Sequence, residues 1–286
     1  MIDDGPINKA NRPLLTVAMH PSGYYMAAGF VDKIRLYHIL HNGIRPFRNV
    51  DIKGCKKIKF SNGGQWFAAV DNKFLHFYNS YTLERIGGEE KLMNEDVTDL
   101  RFNPDDTCLA ICTSQGFVFR YRTTGILKKL SDDGYLDKDK DIRFTSCQFV
   151  EGDTDDCLLI GAGTDGSKGV LRVIDQREKV RQETKTNESK ISSQAFITSQ
   201  HHIQCLISGN EMGNVKIQAF PLIKSHFEEF STHSSEVSQI VVSPDGRYVF
   251  TGGNDGTIFI HTVSEYQTEN DLYRVRDEEE KKIAES

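Results

Sequence analysis

The sequence predicts an all-β fold of the propeller type, built from small antiparallel sheets stacked face to face. Three observations predict it. One strand–turn–strand–turn–strand pattern recurs six times along the 286 residues. Its period is roughly 40 to 50 residues, the length of a four-stranded propeller blade. Between the copies lie short polar segments long enough to supply a fourth, outer strand to each.

The pattern is plainest at VSPDGRYVFTGGNDGTIFIHTV, residues 242–263, where Pro244-Asp245-Gly246 and Asn254-Asp255-Gly256 mark two tight turns. Gly tolerates positive φ there and Asp closes local side-chain turns. The full copy, 237–263, recurs at 14–40, 55–78 and 97–122, and in looser form at 144–175 and 192–220. The first turns begin at Pro21, Asn62, Pro104, near Glu151, near Ser199 and at Pro244. The second strands carry small residues, Ala27-Ala28-Gly29, Ala68-Ala69 and Gly252-Gly253, expected to permit close approach near a crowded axis. A single blade cannot bury both of its faces, so the copies must stack. Outer strands are expected at 43–52, 82–88, 125–131, 179–185 and 226–232. Residues 5–13 are expected to supply the outer strand of the sixth blade. The alternative is that a neighbouring chain or a missing seventh blade covers that edge, since a bare edge is an aggregation hazard. The expected organisation is a propeller over 1–264 and a charged tail over 265–286, a short helix or the start of a coiled coil, with Leu272, Val275 and Ile283 as a weak stripe. The charged insertion 131–143 and the segment 183–190 are expected to be surface loops that contact partners.

Bulk composition narrows the function. A formal charge of −6 argues against a broad basic field for nucleic acid. The polar, acidic start lacks the pattern of a secretory signal, and no apolar run reaches membrane-spanning length. Cysteines 55, 108, 112, 147, 157 and 205 form no CxxC pair, and several sit in apolar runs, so they read as reduced core thiols of a cytosolic protein.

Four groups resemble chemistry. Gly161, Gly163 and Gly166 match GxGxxG, but SKGVLRVID follows, which reads as a strand where a dinucleotide site needs a helix. They read as a blade turn. Nor is this a P-loop, since Ser167 separates Gly166 from Lys168. His233, Asp255 and either Thr251 or Ser243 have the residue types of a catalytic triad. In blades of the WD type, which these copies resemble, residues at those positions form a buried hydrogen-bond network, and that reading is the one expected here. His201-His202 with Cys205 is too sparse for zinc, which needs four ligands. Lys53, Lys56, Lys57 and Lys59 form a small basic cluster, either a solvated strand face or a contact for an acidic partner such as a tubulin tail. Trp66, the single tryptophan, is expected to pack between blades. No catalytic, cofactor-binding or metal site is therefore predicted.

The copies resemble divergent WD40 repeats without the Trp-Asp dipeptide. Strand three ends as LYHI, HFYN, FRYR, RVID, IQAF and IHTV. More specifically, the HPSG turn, GFVDKIRL, GCKKIKFSNGGQWFAAV and FPLIKSHFEEFSTHSSEVSQIVVSPDGRYVFTGGNDG resemble the second propeller of the cilia- and flagella-associated protein 57 family. The similarity runs in register from about Leu14 to Val263 and loosens between about 125 and 200. Members of that family carry a first propeller and a further blade upstream and continue into a long coiled coil. The resemblance thus implies a fragment, a short paralogue or a split gene. It also implies a non-enzymatic axonemal scaffold of the cilium or flagellum, on doublet microtubules, docking or regulating inner dynein arms and adjacent regulatory complexes. The implied partners are tubulin, dynein or regulatory subunits and other scaffold proteins, with no nucleic acid, membrane or cofactor. A general cytoplasmic WD40 interaction scaffold is the alternative. A propeller enzyme or ligand binder would need converging polar groups at the channel mouth, and the sequence identifies none.

Overall fold

A computed structural model describes residues 13–88, 90–92, 96–125, 127–131, 135, 142–151, 157–185, 189–198, 204–222 and 227–263. The chain divides into two compact units, Met1–Asp139 and Lys140–Ser286. Every named element is a strand, and the six sheets are the blades of a WD40-type β-propeller.

The first unit holds three blades. Blade one is β1 (Leu14–Met19), β2 (Tyr25–Phe30), β3 (Ile34–Leu40) and β4 (Gly43–Val50). Blade two is β5 (Lys57–Phe60), β6 (Trp66–Val70), β7 (Phe74–Asn79) and β8 (Glu90–Lys91). Blade three is β9 (Val97–Phe102), β10 (Cys108–Thr113), β11 (Val118–Arg122) and β12 (Lys128–Lys129). The second unit holds three more. Blade four is β13 (Ile142–Phe149), β14 (Leu159–Asp165), β15 (Lys168–Ile174) and β16 (Val180–Lys185). Blade five is β17 (Ile191–Thr198), β18 (Gln204–Asn210), β19 (Asn214–Ala219) and β20 (Phe227–Ser231). Blade six is β21 (Val237–Val242), β22 (Tyr248–Gly253) and β23 (Ile258–Thr262). Each sheet is an antiparallel meander in chain order.

Four expected outer strands match. The expected outer strand of blade two, 82–88, does not. Arg85 makes only an isolated bridge to Tyr78, and the paired strand comes later, at Glu90–Lys91. The cause is local. The Asn79 side-chain oxygen accepts from the amides of Tyr81 and Thr82, and Leu83 takes φ 62°. This turn folds the chain back on the end of β7 before it can run out alongside. Residues Glu183–Lys185, read as loop, belong to β16. Among the described residues β23 is an edge of its sheet, and the closing segment 5–12 and the tail 264–286 lie outside the described residues.

Apolar side chains of neighbouring blades fill the space between them. Ala18, Ala27, Ile34 and Leu36 of blade one meet Ile58, Phe60, Phe67 and Ala69 of blade two. Ala68, Leu75 and Phe77 of blade two meet Leu100, Leu109 and Ile111 of blade three. Equivalent clusters join blades four and five, through Ile160, Leu171, Phe196 and Leu206, and blades five and six, through Ile197, Ile207, Ile240 and Val249. Each fully buried Leu, Ile, Val or Phe among them contributes about 2 kcal/mol relative to exposure. The first strands make the blade-to-blade approach, β1 to β5, β5 to β9, β13 to β17 and β17 to β21. Small residues on the second strands permit it. A Cβ at Gly209 would meet the Val237 side chain at 2.7 Å, and one at Gly29 would meet the Cys55 carbonyl at 3.2 Å.

One irregularity repeats. In five blades the pairing of first and second strand slips by one residue, passing over Leu15, Thr98, Thr145, Ser192 and Ser238. Four of these five carry a hydroxyl, and each hydroxyl donates across to a second-strand carbonyl, those of Cys112, Ala162, Gly209 and Gly252, at 2.9–3.2 Å. Thr145 and Ser192 also reach the next blade, donating to the carbonyls of Ile191 and Val237. The bulge is thus held by a side chain that satisfies a backbone group.

Candidate interaction surface

The triad-like residues come together in part. Nε2 of His233 lies 2.9 Å from the Thr251 hydroxyl, and Nδ1 lies 3.3 Å from Asp255 and 3.0 Å from the Thr257 hydroxyl. Asp255 also accepts from the Ser234 and Thr257 amides and the Thr257 hydroxyl. Thr257 is the member sequence reasoning missed. The turn spacing Asp-Gly-Thr was its only signal. Ser243 stands apart, in the first turn, bonded to Asp245 and to the amide of Tyr248. The Thr257 hydroxyl and amide, with the Ser234 amide, hold the Asp255 carboxyl well below the usual carboxylate range. Burial, with His233 nearby, lowers the pKa of His261, whose Nε2 sits 3.3 Å from the same Thr251 hydroxyl. Thr251 is fully buried, so the would-be nucleophile cannot meet a substrate. The cluster ties the entry to blade six to its second and third strands.

Other polar clusters do similar work. In blade two His76 pairs with Asp71 at 3.0 Å and accepts from Arg85. Burial raises the Asp71 carboxyl, but the bonds from His76 and the amides of Lys73 and Phe74 outweigh it and leave it below its ordinary value. In blade four the buried Arg172 donates to Glu183 at 2.7 Å. Between blades two and three, the Asp106 carboxylate accepts from the amides of Asn62 and Gly63 at 2.7 and 2.6 Å.

The remaining candidates dissolve into structure. Gly161 and Gly163 lie within β14, Gly166 takes φ 64° in the turn, and strand β15 follows. Cys205 is buried in β18, His201 and His202 lie outside the described residues, and no group of metal-ligating side chains occurs among the described residues. Lys56 is committed to Asp96 at 2.7 Å, and Lys57 and Lys59 are half-buried in β5. Trp66 packs against the core between blades two and three, 6.0 Å from Phe77.

What remains is a run of rings at the turn end of blade one, exposed at Phe47 and Tyr81, half-buried at Tyr25 and His38 and buried at His20. Backbone pairing aligns His20, just past the end of β1, with Tyr25, His38 and Arg45 on the next three strands. Ring centroids step from Phe47 to His38 at 4.0 Å, to Tyr25 at 5.2 Å, to His20 at 5.5 Å and to Tyr81 of blade two at 5.8 Å. His20 anchors the run. Its Nδ1 accepts from the Ser22 amide, so Nε2 carries the proton and donates to the Gly64 carbonyl at 2.8 Å.

Comparison with known proteins agrees with this architecture. Residues 224–262 match the WD domain, G-beta repeat family. The chain is 28% identical over 252 residues to cilia- and flagella-associated protein 57 of Mus musculus, covering 87% of this chain and 19% of that protein. It is 25% identical over 281 residues to cilia- and flagella-associated protein 57 C of Tetrahymena thermophila (89% and 21%), and 24% identical over 296 residues to protein 57 A of that organism (92% and 22%). The chain spans about a fifth of the length of these relatives. With six blade sheets, the WD match at the sixth and this likeness over most of the sequence, the chain is a divergent WD40-repeat β-propeller similar to cilia- and flagella-associated protein 57.

Proposed function

We propose that this chain is a non-enzymatic scaffold of the cilium or flagellum, seated on axonemal doublet microtubules, where it helps dock or regulate inner dynein arms and neighbouring regulatory complexes. The observation that carries this reading is the similarity to relatives named for cilia and flagella over 87–92% of the chain. The polar clusters support its non-catalytic half, because each is spent on tying strands and blades together. Propellers act through exposed loops and edges, so the partners are proteins.

Extraction of tagged protein from isolated cilia tests the reading. Retention on the axoneme after detergent, with release in high salt, is the expected result. Signal confined to the cell body would overturn it and leave a general cytoplasmic interaction scaffold.

A further inference from the structure

The ring run at the turn end of blade one sits in an unusual electrostatic setting. Residues 34–50, the β3–β4 hairpin, contain Arg35, Arg45, Arg48, His38 and His41 and no carboxylate, in a chain of net charge −6. Arg45 and Arg48 are exposed and form no ion pair among the described residues. Their register partners, His38 and Leu36, place both on the blade face that turns toward blade two. Phe47 is passed over in the pairing of β3 with β4, and its ring lies tilted against His38 while staying 39% exposed. Tyr81, at 61% exposure, closes the far end from blade two, and Tyr24, at 68%, stands on the intervening turn. The result is a shelf of rings rimmed by two unpaired guanidinium groups.

A strand of a partner is unlike the occupant such a shelf takes. Pro46 removes a backbone donor from β4 and the bulge at Phe47 twists the edge, so strand addition is blocked. Recognition must run through side chains. Arginines grip carboxylates with paired N–H donors, and flat rings pack the methylene stems between them. We propose that this shelf docks an extended, glutamate-rich peptide segment of a partner protein. The proposal names the partner class for the scaffold reading above and rests on it for biological context alone.

The test uses the purified full chain and a fluorescein-labelled peptide of about ten residues made of Glu and Gly, read by anisotropy. A Lys-Gly peptide serves as control. Binding of the acidic peptide alone is expected, weakening several-fold between 50 and 200 mM salt as screening grows. The Arg45→Glu/Arg48→Glu variant should lose at least about tenfold in affinity. Tyr81→Ala, which removes an exposed ring, should weaken binding with an unchanged melting temperature and serves if the double variant misfolds. Lys53→Glu, in the basic cluster on the loop before β5, should leave binding unchanged. Absence of binding, equal binding of the Lys-Gly peptide, or loss through Lys53→Glu in place of the arginine pair would overturn the proposal. If wild type is retained on the axoneme but binds no acidic peptide, the docking site alone fails. If wild type binds the peptide but is absent from cilia, the ciliary reading alone fails.

Discussion

His233, Thr251, Asp255 and Thr257 show how single side chains tie down blade six. Asp255 has its folded pKa depressed below the ordinary value of about 3.9, first by the Thr257 hydroxyl and then by two amides. Its stabilising share is therefore complete above the unfolded pKa and disappears as pH falls through the folded one. The stability gap between wild type and Asp255→Asn should be constant above about pH 5 and narrow toward pH 2, as measured by denaturant titration. The thiols give a second expectation. Burial pushes Cys55 up to about 12 and Cys205 up to about 11. Both should stay unmodified by iodoacetamide at pH 8 in the native chain and react at once in denaturant, as read by mass spectrometry. The sequence announced both groups. The apolar run that Cys205 opens marks a buried thiol, Cys55 sits between Gly54 and Lys56 and is buried by the core of blades one and two, and His and Asp at blade-turn positions mark the network. Thr257 was harder to read, because a threonine after a turn glycine has many uses.

Within and between blades, contact is set by close approach and a few charged bonds. Gly209→Ala drives a methyl group into Val237 of the next blade, 2.7 Å from the new Cβ, and should cost about 2 kcal/mol, measured by urea denaturation. Glu183→Ala removes the charge-assisted bond to Arg172, 1% exposed, and should cost about 2 kcal/mol, measured by urea denaturation. Most strands, and the first turns at Pro21, Asn62, Pro104 and Pro244, were legible from the turn residues and the alternating third strands. The outer strand of blade two was not. What displaced it is the backbone bonding of the Asn79 side chain and the positive φ of Leu83, and neither has a hydrophobic pattern to betray it. The ring shelf escaped notice for a related reason. Its members come from three strands, the residue just past the end of β1 and a turn of the next blade, and only register brings them into one line.

In the molecule as a whole, the apolar surface left exposed is concentrated on particular strands. A cross-strand row of Val241, Phe250 and Ile260 in blade six is 50%, 36% and 63% exposed, and Ile258 is 75% exposed. On blade one Leu15, Val17 and Met19 are 44–55% exposed along β1. A patch of this kind invites self-association. Ile258→Lys/Ile260→Lys should reduce light scattering on concentration while changing stability by no more than about 1 kcal/mol, since surface substitutions away from packed contacts are individually small. The period of the repeat located six copies in the sequence, and six sheets stand at those copies among the described residues. Which faces stay exposed could not be read, because strands destined for either side of a blade share one composition.

The repeated bulge makes an odd and an even residue serve the same interface. Counting by twos along β17, Ile191 keeps company with Ala195 and Ile197, which face blade six. It packs instead with Phe196, against blade four. Val97 does the same with Leu100 and Phe102, and Val237 with Ile240. The bulge is a half-period phase slip, and the hydroxyl of Thr98, Thr145, Ser192 or Ser238 marks where it falls. Removing one residue there would restore unbroken alternation and send the first residue of the strand to the opposite neighbour. A hydroxyl two or three positions before an apolar pair thus works as a punctuation mark, telling the chain on which side of the blade to begin.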